Sequence, residues 1–168
     1  MGTPLSRDPI ADARRNWEEH GWPDVAAPMA AITAVMRTQQ ILLARIEATL
    51  KPFGLTFARY ELLALLSFAR KGSLPMKKAS ALLQVHPTSI TNAVDRLERA
   101  GLVARSPHPT DGRTTLIELT GEGRSLAKRS TAALNNEVFS DPGFSPGDVD
   151  ELIRILADFR RNAGDFAD

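Results

Sequence analysis

The chain has 168 residues, 43% hydrophobic and 24% charged, with a formal net charge of +1; that fits one compact domain, or a small domain with helical extensions, and argues against disorder. The absence of cysteine excludes disulfides, thiol catalysis and thiol redox sensing, and the three histidines (His20, His86, His108) lack the i, i+4 spacing of a zinc enzyme. No apolar run approaches the roughly 18 residues needed to cross a bilayer, and the polar segment 1–10 carries no hydrophobic signal stretch, so a cytoplasmic protein is expected.

Residues 8–20 read as a short helix, with Ile10, Ala13 and Trp17 at helical spacing, ended by Gly21, Trp22 and Pro23. A long helix is expected over 24–50, where Met29, Ile32, Val35, Met36, Leu42, Leu43, Ile46 and Leu50 recur every three or four residues; Pro28 is taken as a first-turn residue. Pro52 and Gly54 stop this helix. Thr56 caps the next one, with Tyr60, Leu63, Leu66 and Phe68 as its apolar side and Lys71-Gly72 at its close. A short helix over 76–83 follows Pro75. The turn Gln84-Val85-His86 leads to Pro87, which opens a helix ending near Ala100, with Gly101 at the C′ position.

Residues 102–105 and 114–119 are strand-like. Between them, Asp111-Gly112 with Pro107 and Pro109 makes 106–113 a hairpin tip. Thr120 caps a helix reaching about residue 138, and 140–147 is a loop. Ser145 as cap, Pro146 at N1 and Asp148 at N3 then open a last helix to about residue 161.

Helix, short helix, three-residue turn, helix and hairpin, in that order, form a winged helix-turn-helix over 56–119. The expected fold class is mainly α with a small β-hairpin wing. An extra N-terminal helix and linker (1–24) and a long helix (25–55) precede the winged lobe, and C-terminal helices (120–168) follow it. Charge is divided along the same lines. Residues 25–76 hold six basic and two acidic side chains and 77–113 hold six and three, whereas 1–24 hold three and five and 114–168 hold six and ten. A basic centre between acidic flanks can hold a polyanion without a high overall pI, although an unevenly charged solvated surface has the same pattern.

At about 100° per residue, Ile90, Val94, Leu97 and Gly101 share one side of the helix that opens at Pro87. Thr88, Asn92, Asp95 and Arg99 lie opposite, Arg96 beside them, and Ser89 and Thr91 on the two flanks. Short hydroxyls and an amide permit close approach to base edges: Asn pairs two ways with adenine and Thr methyls meet thymine methyls. The free backbone N–H groups at the helix start suit a phosphate. Lys77 and Lys78, opening the preceding helix, are placed for backbone contacts, with Arg96 and Arg99 binding phosphate or bracing the wing. Asp95 cannot bind phosphate and is expected to orient an arginine. Arg113, on a thin ribbon, fits a narrow minor groove. The expected DNA-binding set is therefore Lys77, Lys78, Pro87, Thr88, Ser89, Thr91, Asn92, Arg96 and Arg99, with Arg105, His108, Thr110, Asp111, Gly112, Arg113 and Thr114 from the wing.

Enzyme motifs fail on physical grounds. Gly143-Phe144-Ser145-Pro146-Gly147 has the G-x-S-x-G pattern, but Pro146 lacks the N–H an oxyanion hole needs and no strand precedes Ser145. Gly121-Glu122-Gly123 follows a strand as a dinucleotide loop does, but Leu126 stands at the third glycine position and no parallel strand follows. Neither an enzyme nor a bound cofactor or metal is expected.

The runs Gly54-Leu55-Thr56, Asp95-Arg96-Leu97-Glu98-Arg99-Ala100-Gly101-Leu102-Val103, Pro109-Thr110-Asp111-Gly112-Arg113 and Leu119-Thr120-Gly121-Glu122-Gly123 resemble the MarR family of bacterial transcription regulators. Wings of that family more often read Asp-Arg-Arg; Gly112 replaces the first arginine, leaving Arg113 as the groove-entering charge. The resemblance implies a homodimer on a pseudo-palindromic duplex, acting as a repressor relieved by a small molecule. The apolar surface of the long and terminal helices, more than the winged lobe can cover, independently points to an interface; packing within one chain is the alternative. The extra N-terminal helix with its tryptophan is similar to that of the urate-responsive subgroup, which implies an effector site involving Arg14, Trp17, His20 and Glu61. The subgroup's recognition-helix arginine falls at Ala93, which cannot bind an anion, so the resemblance points to another small aromatic or carboxylate effector. Trp17 and Trp22 serving only to anchor the extra helix is the alternative there. A winged-helix protein-interaction module without DNA binding is the alternative for the whole chain.

Overall fold

The computed structural model describes residues 5–111 and 113–167. Its elements run α1 (Pro9–Glu19), α2 (Pro23–Leu50), a 3-10 turn (Lys51–Phe53), α3 (Phe57–Phe68), β1 (Ser73–Pro75), α4 (Met76–Leu82), α5 (Pro87–Arg99), β2 (Val103–Pro107), β3 (Thr115–Leu119), α6 (Gly121–Leu134), a π-helical turn (Asn135–Phe139) and α7 (Pro146–Asn162).

Local chemistry sets most helix starts. The side chains of Asp8, Thr56, Thr120 and Ser145 accept backbone N–H groups from the first turns of α1, α3, α6 and α7. Helix α2 starts at Pro23, so Pro28 lies in the second turn rather than the first. Its missing N–H frees the Asp24 carbonyl, which is tolerated because both residues face water. Helix α3 ends at Phe68 rather than near Lys71, and Phe68 is 80% exposed instead of completing the apolar side; Leu62 takes its place in the core.

The sheet has three antiparallel strands in the order β1-β3-β2, where the sequence predicts a two-stranded hairpin. Leu74 of β1 faces Ile117 of β3, and Arg105 of β2 faces the same residue on the other side. Three residues ending in proline have no readable alternation, and only the edge offered by β3 makes them a strand. The core joins Leu50, Tyr60, Leu62, Leu63 and Leu66 to Ile90, Val94 and Leu97 of α5, Ile117 of β3 and Leu126, Ala127 and Leu134 of α6. Burying such side chains contributes about 1.5–3 kcal/mol each, enough to lock α5 by its apolar face and leave its other face outward. Helix α1 lies along the first turns of α2, covering Ala26. Helix α7 buries none of its residues, and Ile153, Ile155, Leu156 and Phe159 stand exposed along it. Ile32, Val35 and Met36 do the same on α2.

Candidate nucleic-acid interface

The amino end of α5 is presented to solvent by its own turn. Pro87 occupies the first helical position, and the His86 ring accepts the Thr88 N–H at 3.2 Å, a cap that the proline signal alone does not reveal. The buried Ser80 hydroxyl donates to the Val85 carbonyl at 2.7 Å and fastens the preceding turn. Thr88, Ser89, Thr91, Asn92, Arg96 and Arg99 are all exposed, while Ile90, Val94 and Leu97 are buried. The Thr91 hydroxyl donates to the Pro87 carbonyl at 2.9 Å, which turns its methyl and remaining lone pairs outward.

The wing tip is built around Asp111. One carboxylate oxygen accepts the Arg113 N–H at 3.1 Å and the other accepts the Thr114 hydroxyl at 2.7 Å. The Thr114 hydrogen bond, followed by that from Arg113, holds the Asp111 carboxyl below its usual range. The His108 N–H donates to the Thr114 carbonyl at 3.0 Å, closing the ribbon, and the His108 ring accepts the Thr110 N–H at 3.4 Å. Gly112 lies outside the described residues. Since Asp111 is bound more tightly as a carboxylate, its contribution is fully present above the ordinary value of 3.8 and is lost as pH falls through the depressed value. Protection of the Thr114 amide, taken relative to its intrinsic exchange rate at each pH, should therefore fall on acidification before that of the core amides of α3. Simultaneous loss of protection at both would contradict this.

Between α4, the start of α5 and the wing runs a cleft of about 540 Å³. Lys77 and Arg113 stand on its walls, with Pro87, Thr91 and Thr114 between them. Lys78, the other lysine of α4, points instead to a groove beside Leu65, Phe68 and Leu74. On the far flank of α5, Ser89, Asn92 and Arg96 share a shallow groove with Thr56 and Arg59. Arg59 is missing from the sequence-derived set. Its signal was present in the spacing Thr56-x-x-Arg59, because a residue three past an N-cap stays on the first turn beside the cap, and its Nε donates to the Thr56 hydroxyl at 3.1 Å.

Arg105 is placed differently from the other cations. Its guanidinium donates to Asp95 at 2.5 Å and to Glu98, and its N–H donates to Glu98 at 3.1 Å. Partial burial opposes its charge, but the two carboxylates outweigh that and hold its pKa above the usual range. The triad ties α5 to β2 and accounts for an aspartate on the outward face of α5. Arg96 and Arg99 make no ion pair among the described residues.

The four residues expected at an effector site are not brought together within one chain. Arg14, Trp17 and His20 sit on α1 beside the first turns of α2. Glu61 is half-buried on α3, which packs on the last turns of α2, some twenty residues or about 30 Å further along. Burial pushes the Glu61 carboxyl up. Trp17 and Trp22 pair with ring centroids 5.7 Å apart, and His20 stacks on Trp22 at 6.5 Å. Arg14 is engaged by Glu18 at 3.0 Å.

Comparison with known proteins gives a consistent picture. The model of the MarR family matches residues 55–115. A MarR family transcriptional regulator from Streptomyces coelicolor is 47% identical, with a TM-score of 0.76 over 84% of this chain and 99% of that one. An HTH-type transcriptional repressor of Mycobacterium tuberculosis is 33% identical over 98 residues, 58% of this chain and 69% of its own length. CouR from Rhodococcus jostii, solved bound to p-coumaroyl-CoA, is 26% identical with a TM-score of 0.62 over 73% of this chain and 86% of its own. No helix among the described residues is long and apolar enough to cross a membrane.

Proposed function

This chain belongs to the MarR family of DNA-binding transcriptional regulators, and from that premise we propose how its own residues do the work. The carrying observation is the outward-facing start of α5, flanked on one side by the Lys77–Arg113 cleft and on the other by Arg59. Thr88, Ser89, Thr91 and Asn92 read base edges in the major groove. Lys77, Lys78, Arg59, Arg96 and Arg99 hold phosphates, which position without specifying. Arg113 enters the minor groove, supported by the His108, Thr110, Asp111 and Thr114 tip. Arg105 acts on position alone: with both carboxylates on its guanidinium it fixes the angle between α5 and the wing.

The protein works as a cytoplasmic homodimer in this reading, with the exposed apolar faces of α2 and α7 as the interface and half-sites about one helical turn apart, roughly 10 bp. It acts as a repressor released by a small aromatic or carboxylate ligand that biases the spacing of the two reading helices. The M. tuberculosis relative and the ligand held by CouR support that direction, as does the exposed Trp17–His20–Trp22 surface.

The test is a gel shift on the protein's own upstream region with two variants. Asn92→Ala should cost about 1–3 kcal/mol on the cognate duplex and little on a scrambled one. Lys77→Ala should weaken both alike and flatten the salt dependence by about one phosphate contact. Equal losses on both duplexes for Asn92→Ala would remove it from base reading. A wild-type protein that shifts no duplex would favour the protein-interaction module.

A further inference from the structure

We propose that Gln84 is a positioning residue of the reading head, held from a distance by the carboxyl end of α7. Gln84 stands in the turn between α4 and α5 with φ +52°, the only non-glycine residue in the left-handed region among those described. Glycine or asparagine adopts that conformation at less cost, and nothing within the turn uses a long amide side chain. The use lies elsewhere in the chain. The Gln84 amide nitrogen donates to the Asp165 carboxylate at 2.8 Å and to the Asp165 carbonyl at 3.3 Å. Arg160 donates to the Gln84 amide oxygen at 3.3 Å and to the second Asp165 carboxylate oxygen at 2.5 Å. Amide, carboxylate and guanidinium thus close a ring in which each group is bound to the other two.

The ring is itself anchored. Gly164, at φ +75°, turns the tail back so that the Asp165 N–H reaches the Arg160 carbonyl at 3.0 Å, and the Phe166 ring lies 5.3 Å from the Arg160 guanidinium. At the other end of α7, Arg45 of α2 donates to the carbonyls of Asp141 at 2.7 Å and Pro142 at 3.3 Å, in the loop leading to that helix. A helix that buries none of its own residues is therefore tied at one end to the α2 body and at the other to the α4–α5 turn. Gln84 is three residues from Pro87, so a shift of α7 is transmitted to the start of α5 with little slack. That makes α7 a strut between the α2 body and the base-reading surface, and Arg160 and Asp165 its contact with the head.

The proposal rests on the operator-binding reading, and two readouts separate them. Hydrogen exchange on the full chain should show faster exchange at Val85, Thr88 and Ser89 in Arg160→Ala and Asp165→Ala, both more than seventy residues away in sequence, with core amides of α3 unchanged. Asp165→Asn, which keeps an acceptor for the Gln84 amide, should restore part of the protection. Operator affinity of the two alanine variants should fall about 5-fold, within the usual range for coupling through a packed element. Unchanged exchange in the turn would overturn the strut. Faster exchange with unchanged affinity would overturn the positioning role. Failure of the wild-type protein to bind any duplex would instead count against the operator reading, with exchange still deciding the ring.

Discussion

Gly123→Ala is expected to destabilise the protein by about 3 kcal/mol, at the upper end for overpacking a closed site. Gly123 is buried in the first turn of α6, where its N–H is accepted by the Thr120 cap at 2.9 Å. The same Thr120 hydroxyl donates to the Gly101 carbonyl at 2.8 Å, and the Thr120 N–H donates to the Leu102 carbonyl at 3.2 Å. These bonds draw the helix start onto the chain leaving α5. A Cβ at Gly123 would meet the Leu102 carbonyl oxygen at 2.0 Å and a Leu119 methyl at 2.9 Å. The leucine side chain can rotate, but the carbonyl is backbone and cannot. Relief requires moving α6, which carries Leu126, Ala127 and Leu134 into the core. Gly121→Ala is the control, since a Cβ there meets nothing within 4 Å; with a better helix former at that position it should be neutral or gain a few tenths of a kcal/mol. Urea unfolding of the three proteins gives the comparison, and a Gly123→Ala midpoint equal to wild type would contradict the packing argument.

Phe159→Asp is expected to convert the dimer to monomers at micromolar concentration. It should lower operator affinity by about 100-fold, because one winged lobe then binds a half-site without the effective concentration its partner supplies. Phe159 is 70% exposed within the chain and, at helical spacing, shares a side of α7 with the exposed Ile155 and Leu156. A carboxylate at the centre of an apolar interface has no partner and must be desolvated. Arg154, on the polar side of α7, already pairs with Glu151 at 2.6 Å and Asp158 at 3.1 Å. Arg154→Ala should leave the dimer intact, since exposed pairs of that kind contribute little. Sedimentation equilibrium distinguishes the outcomes: a Phe159→Asp protein that remains dimeric would place the interface elsewhere.

Much of this molecule was legible residue by residue. The caps at Thr56, Thr120 and Ser145 and the prolines Pro87 and Pro146 act within about four residues, so their positions in the chain predict helix beginnings directly. The spacing of Ile90, Val94 and Leu97, four residues and then three, separates a buried from an exposed side of α5 without reference to any other element. Asp95 on the exposed side of that helix is an anomaly visible in the sequence, and the expectation that it orients an arginine is met by Arg105. Which arginine it would be was not readable, because that depends on how β2 leaves α5.

Local pattern and capping chemistry thus determined most helix starts, the exposed side of α5 and the hairpin, because each depends on neighbours a turn or two away. Only the tertiary structure decided that 73–75 is a strand, that Phe68 faces water, that Arg59 stands beside Asn92 and that Asp165 reaches Gln84. Each of these is a meeting of segments far apart in the chain, set by how the core closes. Side chains alike in sequence are separated there by which neighbour the fold brings within hydrogen-bonding distance.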